Sequence, residues 1–325
     1  YVAASLFVMG VSSWYLLRRM EVRFALRSFA IASGFGLAAI LSVIVLGDES
    51  GYRTGEVQQV KLAAIEAEWH TEPAPASFTL FGFPDQAAET THAAVKIPYL
   101  MGIIATRSLD KQVTGLKDLV AEHEERIRTG IQAYALLNKL QAGDRSATTL
   151  EQFNAVKGDL GYGLLLKSYT ANITDATEEQ IRAAAKASIP NVAPLFFAFR
   201  IMVGAGVLML LLIGIAFYDS ARHRIGQRKW LLKALLWGIP LPWIAIECGW
   251  FVAEYGRQPW TISEVLPTFM SASTLKESDL WFSLIGICAF YTVLLIVEMY
   301  LMFKFARKGP SSLKSGKYHF ETHSA

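Results

Sequence analysis

Charge is scarce in this chain: Asp, Glu, Lys and Arg make up 18% of its 325 residues, while hydrophobic residues make up 53%. With its positive mean hydropathy, this points to a membrane protein. Cysteine is scarcer still. Cys248 and Cys288 both lie within apolar runs, where they read as small core residues rather than as a disulfide framework. Phosphate-cradling glycine loops, Cys/His zinc spacings and repeats of solenoid period are all missing. The net charge of +3 has no basic groove interleaved with aromatics behind it, so nucleic acid is not an expected partner. The chain opens without Met, and Tyr1 already lies inside an apolar run with neither a basic flank nor a cleavage site. It therefore reads as a fragment, and not as a signal peptide.

What is present is a set of apolar stretches close to the roughly 20 residues that span a bilayer. Five are expected, at residues 1–17, 28–47, 194–218, 230–254 and 280–303. The fold class that follows is all-α: a polytopic membrane helix bundle with about five transmembrane helices and a large extracytoplasmic loop. Its expected divisions are 1–47, 48–193, 194–305 and a cytoplasmic tail at 306–325. Basic residues stay in short cytoplasmic loops. Arg18, Arg19, Arg23 and Arg27 follow the first stretch, Arg222, Arg224, Arg228, Lys229 and Lys233 the third, and Lys304, Arg307, Lys308, Lys314 and Lys317 the last. These places are expected inside, the 48–193 insert and the 256–279 loop outside, with Tyr1 near the outer face and Ala325 in the cytoplasm.

An insert of this length carries function or structure of its own. Lys111–Ala142 reads as an amphipathic helix pair with Leu116, Leu119, Val120, Ile127, Ile131, Tyr134, Leu137 and Leu140 on its apolar side. Gly55–Thr71 gives a shorter helical pattern. Pro73–Asp85, rich in proline and aromatics, cannot be one regular element and would make a lip for an apolar ring. The six histidines, His70, His92, His123, His223, His319 and His323, are all expected at the surface.

The fourth stretch carries the clearest constellation. Trp243, Glu247, Trp250 and Glu254 recur at intervals of four, three and four, one stripe of a helix, and Arg257 extends it if the helix persists. Carboxylates at this depth must face protein, water or a cofactor. Pro240 and Pro242 are expected to kink the span. Two readings stay open for Glu254 and Arg257: a chemical site, or a buried ion pair holding helices together with Trp243 and Trp250 as interface aromatics. In the third stretch, Phe199-Arg200-Ile201-Met202 sets a guanidinium and a thioether in an apolar run. A thioether suits haem iron and a guanidinium suits a propionate, but a snorkelling Arg and an ordinary Met are equally open.

Lys61-Leu62-Ala63-Ala64-Ile65-Glu66-Ala67-Glu68-Trp69 and Phe78-Thr79-Leu80-Phe81-Gly82 resemble the quinol-binding loop of subunit I of the cytochrome bd quinol oxidases, and Gly47-Asp48-Glu49-Ser50-Gly51 resembles the start of that loop. Gly249–Trp260, the segment around Arg200 and Met202, and Phe303-Lys304-Phe305-Ala306-Arg307 extend the resemblance over essentially the whole chain. It implies a low-spin haem b, a high-spin haem b and a haem d, with electrons entering from quinol at the outer face and O2 reduced to water, generating proton motive force without pumping. By motif position, Met202 is implied as thioether ligand of the low-spin haem b iron, Arg200 as its propionate partner, and Glu254 as carboxylate ligand of a high-spin haem iron, with Trp250 and Arg257 beside it. Lys61 and Glu66 match the residues of quinol oxidation. The histidine opposite the methionine and the haem d ligands are implied to lie upstream of Tyr1. The long insert resembles the extended-loop subfamily, with ubiquinol as the expected donor. The implied partners are subunit II, small single-helix subunits and the bilayer of a bacterial inner membrane.

Glu247 and Glu298 are intramembrane carboxylates open to a proton path or to plain interhelical hydrogen bonding. Two other classes stand beside the oxidase: a proton-coupled secondary transporter using Glu247 and Glu254, for which no inverted repeat of broken helices is evident, and a non-catalytic membrane scaffold, which leaves the charged stripe without purpose.

Overall fold

A computed structural model describes residues 1–308 apart from 103, 105, 106 and 109. It is an all-α polytopic membrane protein with two small hairpins, in two units, Tyr1–Ser271 and Ala272–Ala325. In the first unit, α1 (Val2–Arg18) ends at Arg19, which takes the left-handed conformation and returns its N–H to Leu16 O. The next helix, α2 (Val22–Val57), is 36 residues long, about 54 Å at 1.5 Å per residue. It outruns the roughly 30 Å of hydrocarbon in a bilayer. Its last turns carry Asp48, Glu49, Arg53 and Glu56, which pair with one another and with Arg107. Gly47–Gly51, expected to open a loop, lies within this helix.

Between α2 and α8 the chain forms α3 (Gln59–Glu66), strands β1 (Phe78–Asp85) and β2 (Thr90–Ile97), then α4 (Leu116–Gln141), α5 (Ala147–Val156), α6 (Leu160–Leu165) and α7 (Glu178–Ala187). The strands pair antiparallel, Phe78 opposite Ile97 and Asp85 opposite Thr90. Sequence periodicity did not signal this hairpin, because Phe78–Phe83 is apolar on both sides and Gly82 and Pro84 punctuate it. The expected helix pair over Lys111–Ala142 is a single helix, α4: no Gly or Pro lies inside its apolar stripe except Gly130, which is needed because a Cβ there would meet the backbone of Gly163 on α6.

α8 (Val192–Ala221), α9 (Lys229–Trp237) and α10 (Leu241–Tyr255) follow. The expected kink falls at Gly238–Pro240, where proline cannot donate to the ladder and turn residues interrupt it, while α9 and α10 together remain one membrane span. Among the described residues four helical spans are long and apolar enough to cross a membrane, Val22–Val57, Glu178–Ala221, Lys229–Tyr255 (α9 and α10 together) and Glu277–Phe305; α1, of 17 residues, is a shorter apolar helix. The helices pack through Leu6, Met9, Phe29, Ile213, Leu231 and Leu235. Small residues let them close up: a Cβ on Gly36 would stand 2.9 Å from Ser5 Cβ. The short hairpin β3 (Trp260–Ile262) and β4 (Leu266–Pro267) completes this unit.

The second unit is the single apolar helix α11 (Glu277–Lys308), which carries Cys288 and Glu298, both exposed. Most of the expected basic tail, with Lys314, Lys317, His319 and His323, lies outside the described residues.

Candidate functional site

Helix α3 is short and ends in a defined way. Ala67 takes the left-handed conformation (φ 54°), its N–H donates to Ala64 O, and the Glu68 N–H reaches back to Ala63 O. This double closure is one that glycine usually makes. It folds Glu66 and Glu68 into the protein, and both are buried.

Glu66 meets Arg200 of α8. The guanidinium donates from Nη2 to Glu66 Oε2 at 3.1 Å, from Nη1 to Ile65 O at 2.7 Å and Phe196 O at 3.1 Å, and from Nε to Thr79 O and Leu80 O, both at 3.1 Å. It also lies 3.3 Å from the Phe196 ring centroid. The side chains are 13% and 5% exposed. One guanidinium therefore fastens α8, α3 and β1 together, which a point-charge ammonium could not do. Burial pushes the Glu66 carboxyl up to about 8, against the opposing pull of Arg200. Glu66 thus titrates near neutrality, where it can take and give a proton.

Lys61, five residues earlier, points elsewhere. Its Nζ donates to Ala253 O at 3.2 Å near the C-terminal end of α10, and its stem passes Gly256, where a Cβ would stand 3.1 Å from Lys61 Cγ. Burial lowers the proton affinity of Lys61, and Arg257 lowers it further. Lys61 and Glu66 are not brought together. Lys61 instead lines a cavity of about 240 Å³ with Gln58, His123, Tyr162, Arg257 and Glu264.

Glu254, in the last turn of α10, pairs with Arg257 just past the helix end, at 43% and 36% side-chain exposure. The pair is local, so it does not hold two helices together as one open reading had it. Arg257 Nε is buried and has no hydrogen-bond partner among the described residues. Trp243, Glu247 and Trp250 are exposed along the same helix.

Met202 and Arg200 are two residues apart, about 200° around α8, so they serve opposite sides. The Met202 thioether packs on α10, where a Cβ on Gly249 would come within 3.0 Å of Sδ. A Cβ on Gly206, one turn along α8 from Met202, would meet nothing within 4 Å. These observations fit a flat macrocycle: a soft thioether beside cleared helix surface, a carboxylate on an exposed stripe, and a guanidinium N–H still to be satisfied by an anionic oxygen. Among the described residues no three His, Cys, Asp or Glu side chains cluster to hold a metal ion.

Two features escaped the sequence reading. His123 is buried, not at the surface. Its Nδ1 lies 2.6 Å from Ser188 Oγ, which itself donates to Ala185 O, and Tyr162 Oη lies 3.2 Å from Nε2. Arg126 joins Tyr162, Asp159 and Glu264 to this network. Burial, then Arg126, pushes His123 down to about 4, so it stays neutral. The available signal was its place on the apolar stripe of α4 between Leu119 and Ile127. Glu68 is the other: it is 6% exposed and was quoted within the resemblance without a role.

Residues 1–310 match the family model described as cytochrome bd terminal oxidase subunit I. The chain is 50% identical over 315 residues to cytochrome bd-II ubiquinol oxidase subunit 1 of Escherichia coli (strain K12), covering 97% of this chain and 61% of the relative. It is 29% identical over 304 residues to cytochrome bd ubiquinol oxidase subunit 1 of Bacillus subtilis (strain 168), covering 93% of this chain and 53% of that protein. The chain thus spans between half and two thirds of the length of these curated relatives.

Proposed function

The chain belongs to the cytochrome bd terminal oxidase subunit I family, and from that premise we propose that it is the part of a respiratory oxidase that takes electrons from quinol and passes them toward O2. Ubiquinol is the proposed donor, in keeping with the name of the 50% identical relative. The segment between α2 and α8 stands outside the cytoplasm and the basic turn between α8 and α9 inside, in a bacterial inner membrane, with subunit II and small single-helix subunits as partners.

Low-spin haem b, high-spin haem b and haem d, when bound, supply the one-electron carriers and the place where O2 becomes water. Met202 would hold the low-spin haem b iron through its thioether, and Glu254 a high-spin haem iron through its carboxylate. Trp250 would lie beside the second, and Arg257 would offer its Nε–H, unpartnered among the described residues, to an anionic oxygen. Arg200 was implied as a propionate partner, but its donors are occupied by five protein oxygens, so its role in the site is to hold Glu66. Glu66 takes the proton that a quinol hydroxyl gives up as it is oxidised, and Lys61 supplies a hydrogen-bond donor to a quinol oxygen.

The observation that carries this reading is the buried, arginine-held Glu66 carboxyl that titrates near neutral pH. In the intact oxidase, Glu66→Gln should slow quinol oxidation by about 100-fold or more, the usual worth of a positioned base. Haem content and O2 reduction from artificial donors should stay at wild-type levels. Equal loss with both donors would refute a quinol-specific role.

A further inference from the structure

Glu68 is a buried residue whose carboxyl is unpaired among the described residues. At 6% exposure it makes no side-chain hydrogen bond or ion pair among the described residues. Its carboxyl oxygens are not among the sealed, unpaired side-chain atoms of the described residues, so the group keeps contact with solvent while the rest of the residue is covered. Its surroundings have a direction. On one side is Glu66, two residues back and still more buried, held by Arg200. On the other is Glu72, with a side chain 27% exposed, which accepts from Ser77 N at 3.2 Å and Ser77 Oγ at 2.6 Å and pairs with Lys96 of β2 at the protein surface. The α3 terminus creates this order. The left-handed Ala67 turns the chain back under the helix, and Glu68 O and Trp69 O are then fixed by the N–H groups of Leu116 and Lys117 at the start of α4.

We infer that Glu68 is a proton relay: it accepts the proton that Glu66 has taken from quinol and delivers it by way of Glu72 to water outside. The inference rests on the quinol reading of Glu66 and extends it to a residue that reading does not use. The step balances as an ordinary transfer. Each quinol oxidised to quinone gives up two electrons, which the oxidase's one-electron carriers would take one at a time, and two protons from its hydroxyl oxygens; each proton moves from Glu66 to Glu68 carboxylate, then to Glu72 or water, and both carboxylates are regenerated.

The charged groups facing Glu68 are Glu66 on α3, Glu72 on the following loop and Lys96 on β2; Arg200 of α8 acts through Glu66. Proton affinity falls outward along this series. Glu66 is raised to about 8 by burial, and Glu68 to about 7 by burial and then by Glu72. Burial also raises Glu72, but its bonds to Lys96 and Ser77 outweigh that and leave it below the ordinary carboxylate range. A proton moving from Glu66 to Glu72 therefore runs downhill at each transfer. Glu68 must be ionised to accept, so turnover limited by it rises with pH through about 7.

The test uses the intact oxidase with Glu68→Gln, Glu68→Asp and Glu66→Gln in parallel. Glu68→Gln should lower quinol oxidation about tenfold or more, abolish the rise of rate with pH near 7, and leave haem content and artificial-donor O2 reduction unchanged. Glu68→Asp, which keeps the carboxyl, should recover much of the rate and the pH dependence. Independently of turnover, redox-triggered infrared difference spectra should lose one carboxyl band in Glu68→Gln. Wild-type rate, pH profile and infrared bands in Glu68→Gln, alongside a slow Glu66→Gln, would overturn the relay while leaving the quinol site standing. A Glu66→Gln enzyme that oxidises quinol normally would overturn both. If Glu68→Gln does not assemble, Glu68→Ala replaces it, and a Glu68→Ala enzyme with wild-type rate, pH profile and carboxyl bands overturns the relay.

Discussion

The chain contains two carboxylate–guanidinium pairs of the same chemistry and opposite design. Glu66–Arg200 joins residues 134 positions apart, is almost sealed from solvent, and satisfies the guanidinium with backbone carbonyls from α3, α8 and β1. Glu254–Arg257 spans three residues at one helix end, is more than a third exposed, and leaves Arg257 Nε unbonded among the described residues. A buried pair whose every donor is used cannot be opened for a ligand without large loss, whereas a local pair with unspent valence can. Arg200 thus fastens the fold around a buried carboxyl, the group proposed to take the quinol proton, whereas Glu254 and Arg257 sit where the proposed haem ligation asks for an accessible carboxylate.

Breaking the first pair should have the largest effect. Arg200→Met leaves the buried Glu66 carboxyl and several backbone carbonyls without their donor, costing about 3 kcal/mol or more. Arg257→Met removes an exposed local partner and should cost about 1 kcal/mol or less. Thermal unfolding of the purified complexes measures both, and similar shifts in the two variants would end the distinction.

Glu254→Ala sharpens the other arm. If the carboxylate is available to iron, this variant should lose one high-spin haem signal and keep the low-spin bands, with stability lowered by no more than about 1 kcal/mol. Full haem occupancy with a large fall in Tm would return Glu254 to a structural role.

The difference in burial also has a pH signature. Glu66 is raised from an ordinary 4.5 to about 8, so the folded chain holds this proton more tightly than the unfolded chain does. Its contribution to stability is complete below about 4.5 and is lost as pH rises through about 8. Glu68, raised to about 7, acts in the same sense. Wild-type Tm should therefore fall across this window, and Glu66→Gln should flatten the fall; an unchanged slope would show that Glu66 is already ionised in the fold.

How much of this was legible beforehand depended on the range of the interaction. Apolar length gave the membrane helices, and proline chemistry gave the kink before α10, because both are local. The Trp243–Glu254 stripe was readable for the same reason: helical periodicity places its members on one line. The partner of Glu66 was not readable, since Arg200 is brought to it only by the packing of α8 against α3 and the hairpin. Arg200 and Met202 looked like one motif in sequence, yet a helix turns them to opposite sides. His123 was misplaced because polarity outweighed its position on the α4 stripe, and its burial depends on Ser188 and Tyr162 from two other elements.

The smallest expected effect tests how finely the α8–α10 contact is set. A Cβ on Gly249 would stand 3.0 Å from Met202 Sδ, closer than such atoms ordinarily pack, so Gly249→Ala should displace the thioether by a few tenths of an ångström. Met202 is unbranched and can yield, which should hold the stability loss to about 1 kcal/mol. Iron ligation is less forgiving than packing. If Met202 holds the low-spin haem b iron, the variant should shift that haem's bands and midpoint potential while the Glu254-dependent signal stays fixed. Met202→Leu, which conserves volume and removes the ligand, should abolish the same bands. A Gly249→Ala spectrum identical to wild type, with Met202→Leu also unaltered, would remove Met202 from the iron and leave it a packing residue between two helices.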